Sequence, residues 1–105
     1  MRLANASYAV ARTLPDEERC GLAAQIRGAA VSIAANIAEG KGRRTKADFA
    51  RFLAIARGSA RELDTLVDIA VDCGMTKAQS TREAKQLVLE VLSMLTVMLR
   101  HLAPL

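Results

Sequence analysis

The chain has 105 residues, enough for one domain, and 51% of them are apolar, enough for a substantial core. Its three aromatic residues are Tyr8, Phe49 and Phe52, so the core must be built mainly from aliphatic side chains and alanine. The net charge is +4, and the two cysteines, Cys20 and Cys73, are too far apart for a zinc motif. We expect two free, buried thiols, with a disulfide as the alternative.

The longest apolar stretch covers residues 87–99 and is interrupted by Glu90, Ser93 and Thr96. A membrane-spanning helix needs about 20 apolar residues, so this stretch is too short and too polar to cross a bilayer. The N-terminus shows no basic-then-apolar leader. We therefore expect a soluble, cytoplasmic protein with no membrane association.

The first two helices follow from apolar spacing and helix-end signals. The first is predicted over residues 2–13. Pro15 and the acidic residues 16–18 are typical of a helix start and predict a second helix from there to about Glu39. Gly40 and Gly42 are predicted to end it. Its apolar face is formed by residues at three- and four-residue steps, namely Leu22, Ile26, Ala29, Ala30, Ile33 and Ile37.

The third helix has a clear start and end. Thr45, followed by Asp48 three residues later, resembles a capping box, and Gly74 is predicted to terminate the helix. Its predicted inner stripe is Phe49, Phe52, Ala56, Ser59, Leu63, Leu66, Val67 and Ala70. The fourth helix begins at either Thr76 or Ser80, which are equally good starts, and ends before Pro104.

Four helices with short connections predict an all-α fold, an antiparallel up-down-up-down four-helix bundle. We assign residues 1–105 to a single four-helix-bundle domain.

The fourth helix is apolar over an unusually wide arc. Nine apolar positions between Leu87 and Leu102 cover about 160° at 100° per residue, whereas one packed face needs about 100°. Surplus apolar surface indicates a partner, and we expect self-association. The predicted oligomer interface is Leu89, Met94, Val97 and Met98. The alternative is a central helix that is buried on two sides of its own bundle.

The positive charge is concentrated in one window. Residues 41–61 contain seven basic residues and one acid, a net +6. Backbone N–H groups at a helix start, together with lysine and arginine, favour phosphate binding. Arg61 can pair with Asp64 three residues later, which weakens its claim to be a ligand contact. The better candidate nucleic-acid contacts are Lys41, Arg43, Arg44, Lys46, Arg51 and Arg57.

The charges are poorly placed for helix stability, because cations crowd the start of the third helix and Asp64, Asp68 and Asp72 lie toward its end. Three interpretations stay open. The basic residues bind a polyanion, they pair with the acidic end of another subunit, or they form an ordinary solvated surface. With so few aromatic residues, nucleic-acid contact would be mainly phosphate-directed and salt-sensitive.

Catalytic chemistry is not indicated. His101 is the single histidine and is expected at the surface, and neither cysteine has a histidine neighbour to activate it. Residues 40–46 lack phosphate-loop spacing and follow a helix instead of a strand. We predict no enzyme activity, cofactor or metal. A polar row along the second helix predicts a hydrogen-bonded border between helices or subunits; its members are Gln25, Ser32, Asn36 and Glu39.

Several stretches resemble the four-helix-bundle family of 23S rRNA intervening-sequence proteins, which includes the accessory variability determinant of diversity-generating retroelements. The matching stretches are Gln25-Ile26-Arg27, Ser32-Ile33, Asn36-Ile37-Ala38-Glu39-Gly40, and the run from Phe49 to Leu63 that includes Arg51-Phe52-Leu53, Gly58-Ser59 and Glu62-Leu63. The resemblance implies a non-enzymatic homopentamer. It also implies that basic surfaces bind RNA or DNA and that a reverse transcriptase is a partner in the retroelement members.

These observations favour a homo-oligomeric nucleic-acid-binding accessory protein, and the resemblance implies a reverse transcriptase as its partner. The alternative is a structural oligomer that binds protein and has no nucleic-acid role, with its basic and acidic ends paired between subunits.

Overall fold

The fold is all-helical. A computed structural model describes residues 1–18 and 20–103, and within them it contains the four helices Arg2–Thr13 (α1), Leu22–Lys41 (α2), Lys46–Asp72 (α3) and Ala78–Leu102 (α4). Each helix packs against the next, and α1 packs against α4. The predicted all-α class is therefore confirmed, and the packing is that of an antiparallel four-helix bundle.

The helices differ in length, and this divides the bundle into two halves. α1 has 12 residues and α3 has 27, which correspond to about 18 and 40 Å. The end of α1 meets the start of α4, where the hydroxyls of Thr13 and Thr76 are 2.7 Å apart. At its other end, Arg2 reaches Glu83 at 3.9 Å. α1 therefore covers only the first part of α4, and beyond that point three helices remain.

Two core clusters correspond to these halves. The four-helix half contains the larger cluster, which includes the fully buried Ile26, Ile33 and Leu63. The three-helix half is built around Leu53, Ala56 and Leu95. Half-buried apolar side chains surround this smaller cluster; they include Ile37, Phe49, Val91, Met98, Leu99 and Leu102.

The start of the second helix differs from the prediction. Residues Asp16–Glu18 form a separate 3-10 turn, and α2 begins at Leu22 with Gly21 at its N-cap. The Leu22 backbone N–H donates a 3.1 Å hydrogen bond to Glu18 Oε2. One of the acidic residues, Glu18, does serve the N-terminus of α2, but from the preceding turn and not from its first turn.

Gly40 was predicted to end α2, but this prediction is wrong, because Gly40 lies buried within the helix. A Cβ atom at this position would lie 3.0 Å from both the Phe49 ring and the Phe52 Cβ atom. The missing side chain thus allows the start of α3 to approach α2 closely. The helix continues to Lys41 and is followed by Gly42.

Both predicted ends of α3 are confirmed. The Thr45 side chain accepts a 3.1 Å hydrogen bond from the Asp48 backbone N–H. Gly74 has a positive φ of 74°, and the N–H of Met75 bonds the carbonyl of Ala70, which is a Schellman ending. The predicted stripe was partly wrong, because it omitted the fully buried Leu53 and Ala60.

The start of α4 agrees with neither predicted cap. Lys77 is the N-cap and supplies no side-chain hydrogen bond, because its ammonium group can only donate. The hydroxyl of Thr76 lies 2.7 Å from the hydroxyl of Thr13 in α1. The predicted stop signal, Pro104, lies outside the described residues.

Cys20 and Cys73 are both free, as predicted, but they are exposed, so the prediction of burial was wrong. Within residues 1–18 and 20–103, no helix has the length and apolar character needed to cross a membrane.

Candidate nucleic-acid interface

The loop between α2 and α3 carries the densest positive charge. It consists of the four residues 42–45, held in a tight turn by backbone hydrogen bonds from Gly42 to Glu39 (3.2 Å) and from Arg43 to Gly40 (3.1 Å). Four cationic side chains on and beside this turn are exposed to solvent: Lys41, Arg43, Arg44 and Lys46. The turn therefore concentrates four charges at one end of the bundle.

Two of the six predicted contacts gather around Phe52. The guanidinium carbons of Arg43 and Arg51 lie 4.7 and 4.4 Å from the centre of its ring. Each arginine also has a carboxylate partner, Glu39 for Arg43 and Asp48 for Arg51, the latter pair at 3.7 Å. These two cations are held in place and partly neutralised, so a polyanion would have to compete for them.

Two more of the predicted contact residues lie on a different edge of α3. Lys46 and Arg57 are eleven residues apart, which is about three turns, so they share one edge of the helix. Arg51 lies roughly a third of a turn away from that edge. The edge with Lys46 and Arg57 is the one that faces α4, because Asp64, on the same edge, pairs with Lys85 of α4.

The six predicted residues therefore separate into two groups instead of forming one cluster. Arg43 and Arg51 flank Phe52 and are paired. In the part of the chain that the structure describes, no hydrogen bond, ion pair or ring contact involves the side chains of the remaining four, which are Lys41, Arg44, Lys46 and Arg57.

The predicted pair between Arg61 and Asp64 is wrong. Lys85 Nζ instead contacts Asp64 and, at 2.8 Å, Asp68, joining α4 to α3. Burial alone would lower the pKa of Lys85, but hydrogen bonds and attraction from both carboxylates outweigh it and raise that pKa. Two of the three acids that are poorly placed for the helix dipole, Asp64 and Asp68, thus have a tertiary partner, and Arg61 has none among the described residues.

The predicted polar border of α2 is confirmed in part. The hydroxyls of Ser32 and Ser59 are 2.8 Å apart and connect α2 to α3. Asn36 Nδ2 donates to the Ser32 carbonyl at 2.8 Å and to its hydroxyl at 3.1 Å. Gln25 is exposed, and Glu39 binds Arg43 instead of a neighbouring helix.

Three of the four residues predicted for an oligomer interface are large, exposed apolar side chains. Leu89, Met94 and Val97 are 52, 47 and 49% exposed, whereas Met98 is half-buried against the smaller core cluster. Met94 lies eleven residues after Glu83, so it shares the edge of α4 on which α1 packs, beyond the point where α1 ends. Leu89 follows Lys85 by one turn on the opposite edge, which faces α3.

His101 is exposed and lines two shallow clefts at the end of α4, one with Phe49 and one with Lys46. No group of three or more histidine, cysteine or acidic residues within residues 1–18 and 20–103 is placed to hold a metal ion.

The fold and the loop together define an all-helical bundle protein with a concentrated cationic surface. A sequence model of the 23S rRNA-intervening sequence protein family matches residues 1–97 of the 105. The chain therefore belongs to this family, and the predicted family resemblance is confirmed. A comparison with curated proteins gives no match.

Proposed function

We propose that this protein is a non-enzymatic, homo-oligomeric nucleic-acid-binding accessory protein. The supporting observation is the group of cations at the α2–α3 loop and the adjoining edge of α3, where Lys41, Arg44, Lys46 and Arg57 have no described partner. Cations left free at a surface are available to replace the counterions of a phosphate backbone. The name of the family, which refers to an intervening sequence in ribosomal RNA, is loosely consistent with this role.

The proposed assembly is a homopentamer, as the family resemblance implies, with Leu89, Met94, Val97 and Met98 in the subunit interface. The support is the apolar surface on α4 where α1 does not reach. Five copies would carry about +20, a charge that would steer RNA or DNA toward the oligomer.

The proposed protein partner is a reverse transcriptase, in the setting of a diversity-generating retroelement. This part of the proposal rests on the family resemblance alone. Co-purification of a tagged chain with the reverse transcriptase encoded beside it, if its gene has such a neighbour, is the direct test. A neighbouring ribosomal RNA gene would instead favour the intervening-sequence role.

The rival function is a structural oligomer in which the basic loop of one subunit pairs with acids of another. It is less favoured, because Asp64 and Asp68 are already engaged by Lys85 within the chain. Asp72 and Glu62 remain exposed and could still supply such a contact.

The test is a binding titration with a labelled mixed-sequence RNA oligonucleotide between about 50 and 200 mM salt. Replacing Lys41, Arg44 and Lys46 together by alanine should weaken binding and flatten the log–log salt dependence by roughly 2, because each lost phosphate contact on a single strand accounts for about 0.7. Removing cations from the start of α3 should not destabilise that helix, so lost binding would not reflect unfolding.

The matched control replaces three exposed cations at the opposite end of the bundle, Arg12, Lys77 and Arg82, and changes the net charge equally. Equal losses for the two triple variants would reduce the effect to net charge and remove the loop from the site. If the loop variant instead lowers the subunit number in light scattering while wild type has no RNA affinity, the structural oligomer replaces this proposal.

Interface residues are tested by light scattering of Met94→Asp and Val97→Asp, which should shift the oligomer toward monomer. Val31→Asp is the control, because Val31 on α2 is as exposed as Val97, at 49%. A wild-type monomer, or equal effects of all three changes, would contradict an interface on α4.

A further inference from the structure

An open groove runs between α3 and α4 in the three-helix half of the bundle. Arg61 lines it from the α3 side. The residues that line it from α4 are Leu92, Ser93, Thr96, Val97 and Arg100, of which Val97 is also placed in the proposed subunit interface, so the groove borders that interface. The groove thus has a guanidinium on each side, with two hydroxyl groups and two aliphatic side chains between them.

Both arginines are available to a ligand. Asp64, the acid three residues after Arg61 on α3, is bound to Lys85 on the other helix. Arg100 is exposed, and in the described part of the chain neither guanidinium has a hydrogen bond or ion pair. The residues that line the groove include no carboxylate.

The line along which α3 packs against α4, here called the α3–α4 seam, carries different charges toward its two ends. Toward the end of α3, Asp64 and Asp68 enclose Lys85, so two carboxylates face one ammonium and this part is net negative. Toward the start of α3, the same edge carries Arg61, Arg57 and Lys46, spaced four and eleven residues apart and therefore in line. The cationic part of the seam begins next to the α2–α3 loop and ends at the groove.

The chemistry of the groove suits a phosphodiester. Guanidinium groups only donate hydrogen bonds and match the oxygens of a phosphate in pairs, and hydroxyls commonly add contacts to the backbone. Lys46 and Arg61 are fifteen residues apart, which is about 22 Å along the helix. This distance is long enough to contact several successive phosphates of one strand.

We propose that the groove between Arg61 and Arg100 binds the phosphate backbone of a nucleic acid that also contacts the α2–α3 loop. The nucleic acid then lies along the α3–α4 seam. It does not lie across the α2–α3 edge, where carboxylates already hold Arg43 and Arg51. This inference rests on the proposed function and adds a second, separate contact region to it.

The test compares two double variants with the same change in net charge, Arg61→Ala with Arg100→Ala, and Arg12→Ala with Arg82→Ala. Arg82 lies eighteen residues before Arg100, five full turns, so both are on the same edge of α4. We expect the groove variant to bind the labelled RNA at least tenfold more weakly, with a log–log salt slope flatter by about 1.4. The control should lose no more than its share of net charge.

A second measurement locates the contact directly. Bound RNA should protect Arg61 and Arg100 from modification by phenylglyoxal, while Arg82 stays reactive. Unlabelled RNA should displace the labelled RNA at lower concentration than poly-L-glutamate of matched charge does.

The outcomes separate the two proposals. If wild type binds RNA and the two double variants lose affinity equally, or Arg61 is not protected, the groove inference is overturned while the loop proposal stands. If poly-L-glutamate competes as well as RNA, the groove fits an acidic protein segment and the inference also fails. A change in subunit number for the groove variant would make the groove a contact between copies, and a wild type without RNA affinity would overturn both proposals.

Discussion

The two halves of the bundle differ in how completely their core side chains are enclosed and in how their charged side chains are arranged. In the four-helix half, aliphatic side chains are enclosed by α1 as well as by the other helices, and Lys85 is paired with two carboxylates. In the three-helix half, the core cluster is smaller, the apolar side chains around it are only half-buried, and the cations of the α2–α3 loop are concentrated at its end. The comparison indicates that the first half supplies stability and that the second offers surface for other molecules.

The largest expected effect comes from truncating the two cores. Leu63→Ala in the four-helix half should lower the free energy of unfolding by about 4 kcal/mol, near the upper end of leucine-to-alanine losses. Leu95→Ala, in the smaller cluster, should lower it by about 2.5 kcal/mol because its half-exposed neighbours can relax into the space. Urea denaturation at low protein concentration measures both, and a larger loss for Leu95 would reverse the comparison.

A smaller effect is expected at Gly40. Gly40→Ala should destabilise the protein by about 1 to 3 kcal/mol, because the added methyl group would overlap Phe49 and Phe52. Gly28→Ala is the control, since Gly28 lies in an exposed helical position with open space around it, and it should stabilise α2 by about 0.5 to 1 kcal/mol. Thermal unfolding of the two variants should therefore shift in opposite directions, and a shift in the same direction would show that the start of α3 yields easily.

The charge balance of the four-helix half can be broken at Lys85. Lys85→Met should lower the free energy of unfolding by about 1 kcal/mol at pH 7, given that the lysine is 28% exposed. The pKa of Lys85 is raised in the folded protein, so its contribution is complete below the unfolded pKa of about 10.4 and is lost as the pH rises through the folded value. The free energies of unfolding of wild type and Lys85→Met, measured in urea, should therefore converge once the pH exceeds the folded pKa of Lys85. A difference that stays constant up to pH 12 would contradict this account.

The smallest expected effect concerns a buried polar group without a hydrogen-bond partner in the four-helix half. The Ser7 hydroxyl is fully buried and has no hydrogen-bond partner among the described residues. Ser7→Ala should therefore raise the free energy of unfolding, by up to about 1 kcal/mol, because it removes an unsatisfied polar group. A loss of stability in urea denaturation would mean that the hydroxyl is satisfied, for example by a buried water.

The sequence was most informative where structure depends on nearby residues. Thr45 and Gly74 mark the ends of α3 because their capping bonds reach only three to five residues along the chain. Gly40 was misinterpreted because its neighbours, Phe49 and Phe52, belong to the next helix. The local sequence is compatible with a helix end at Gly40, whereas in the structure Gly40 is the place where α2 packs closely against α3.

The candidate site shows the same limit. The basic residues are evident from composition, but their division between two edges of α3 depends on where α4 packs. Asp64 illustrates this, because it has Arg61 three residues before it and Lys85 twenty-one residues after it, and it binds the more distant residue. Arg100 carries no local signal at all, since its relation to Arg61 depends on the register of two antiparallel helices.

The absent side chain at Gly40 also constrains how the loop could change over time. Since α2 and α3 pack against each other at Gly40, this contact sets the distance that the turn has to span. Residues 42–45 bridge a gap of fixed width, so an insertion there would bulge outward and leave the flanking Lys41 and Lys46 where they are. New charges could be added to this tip, one at a time, without rebuilding the scaffold beneath it.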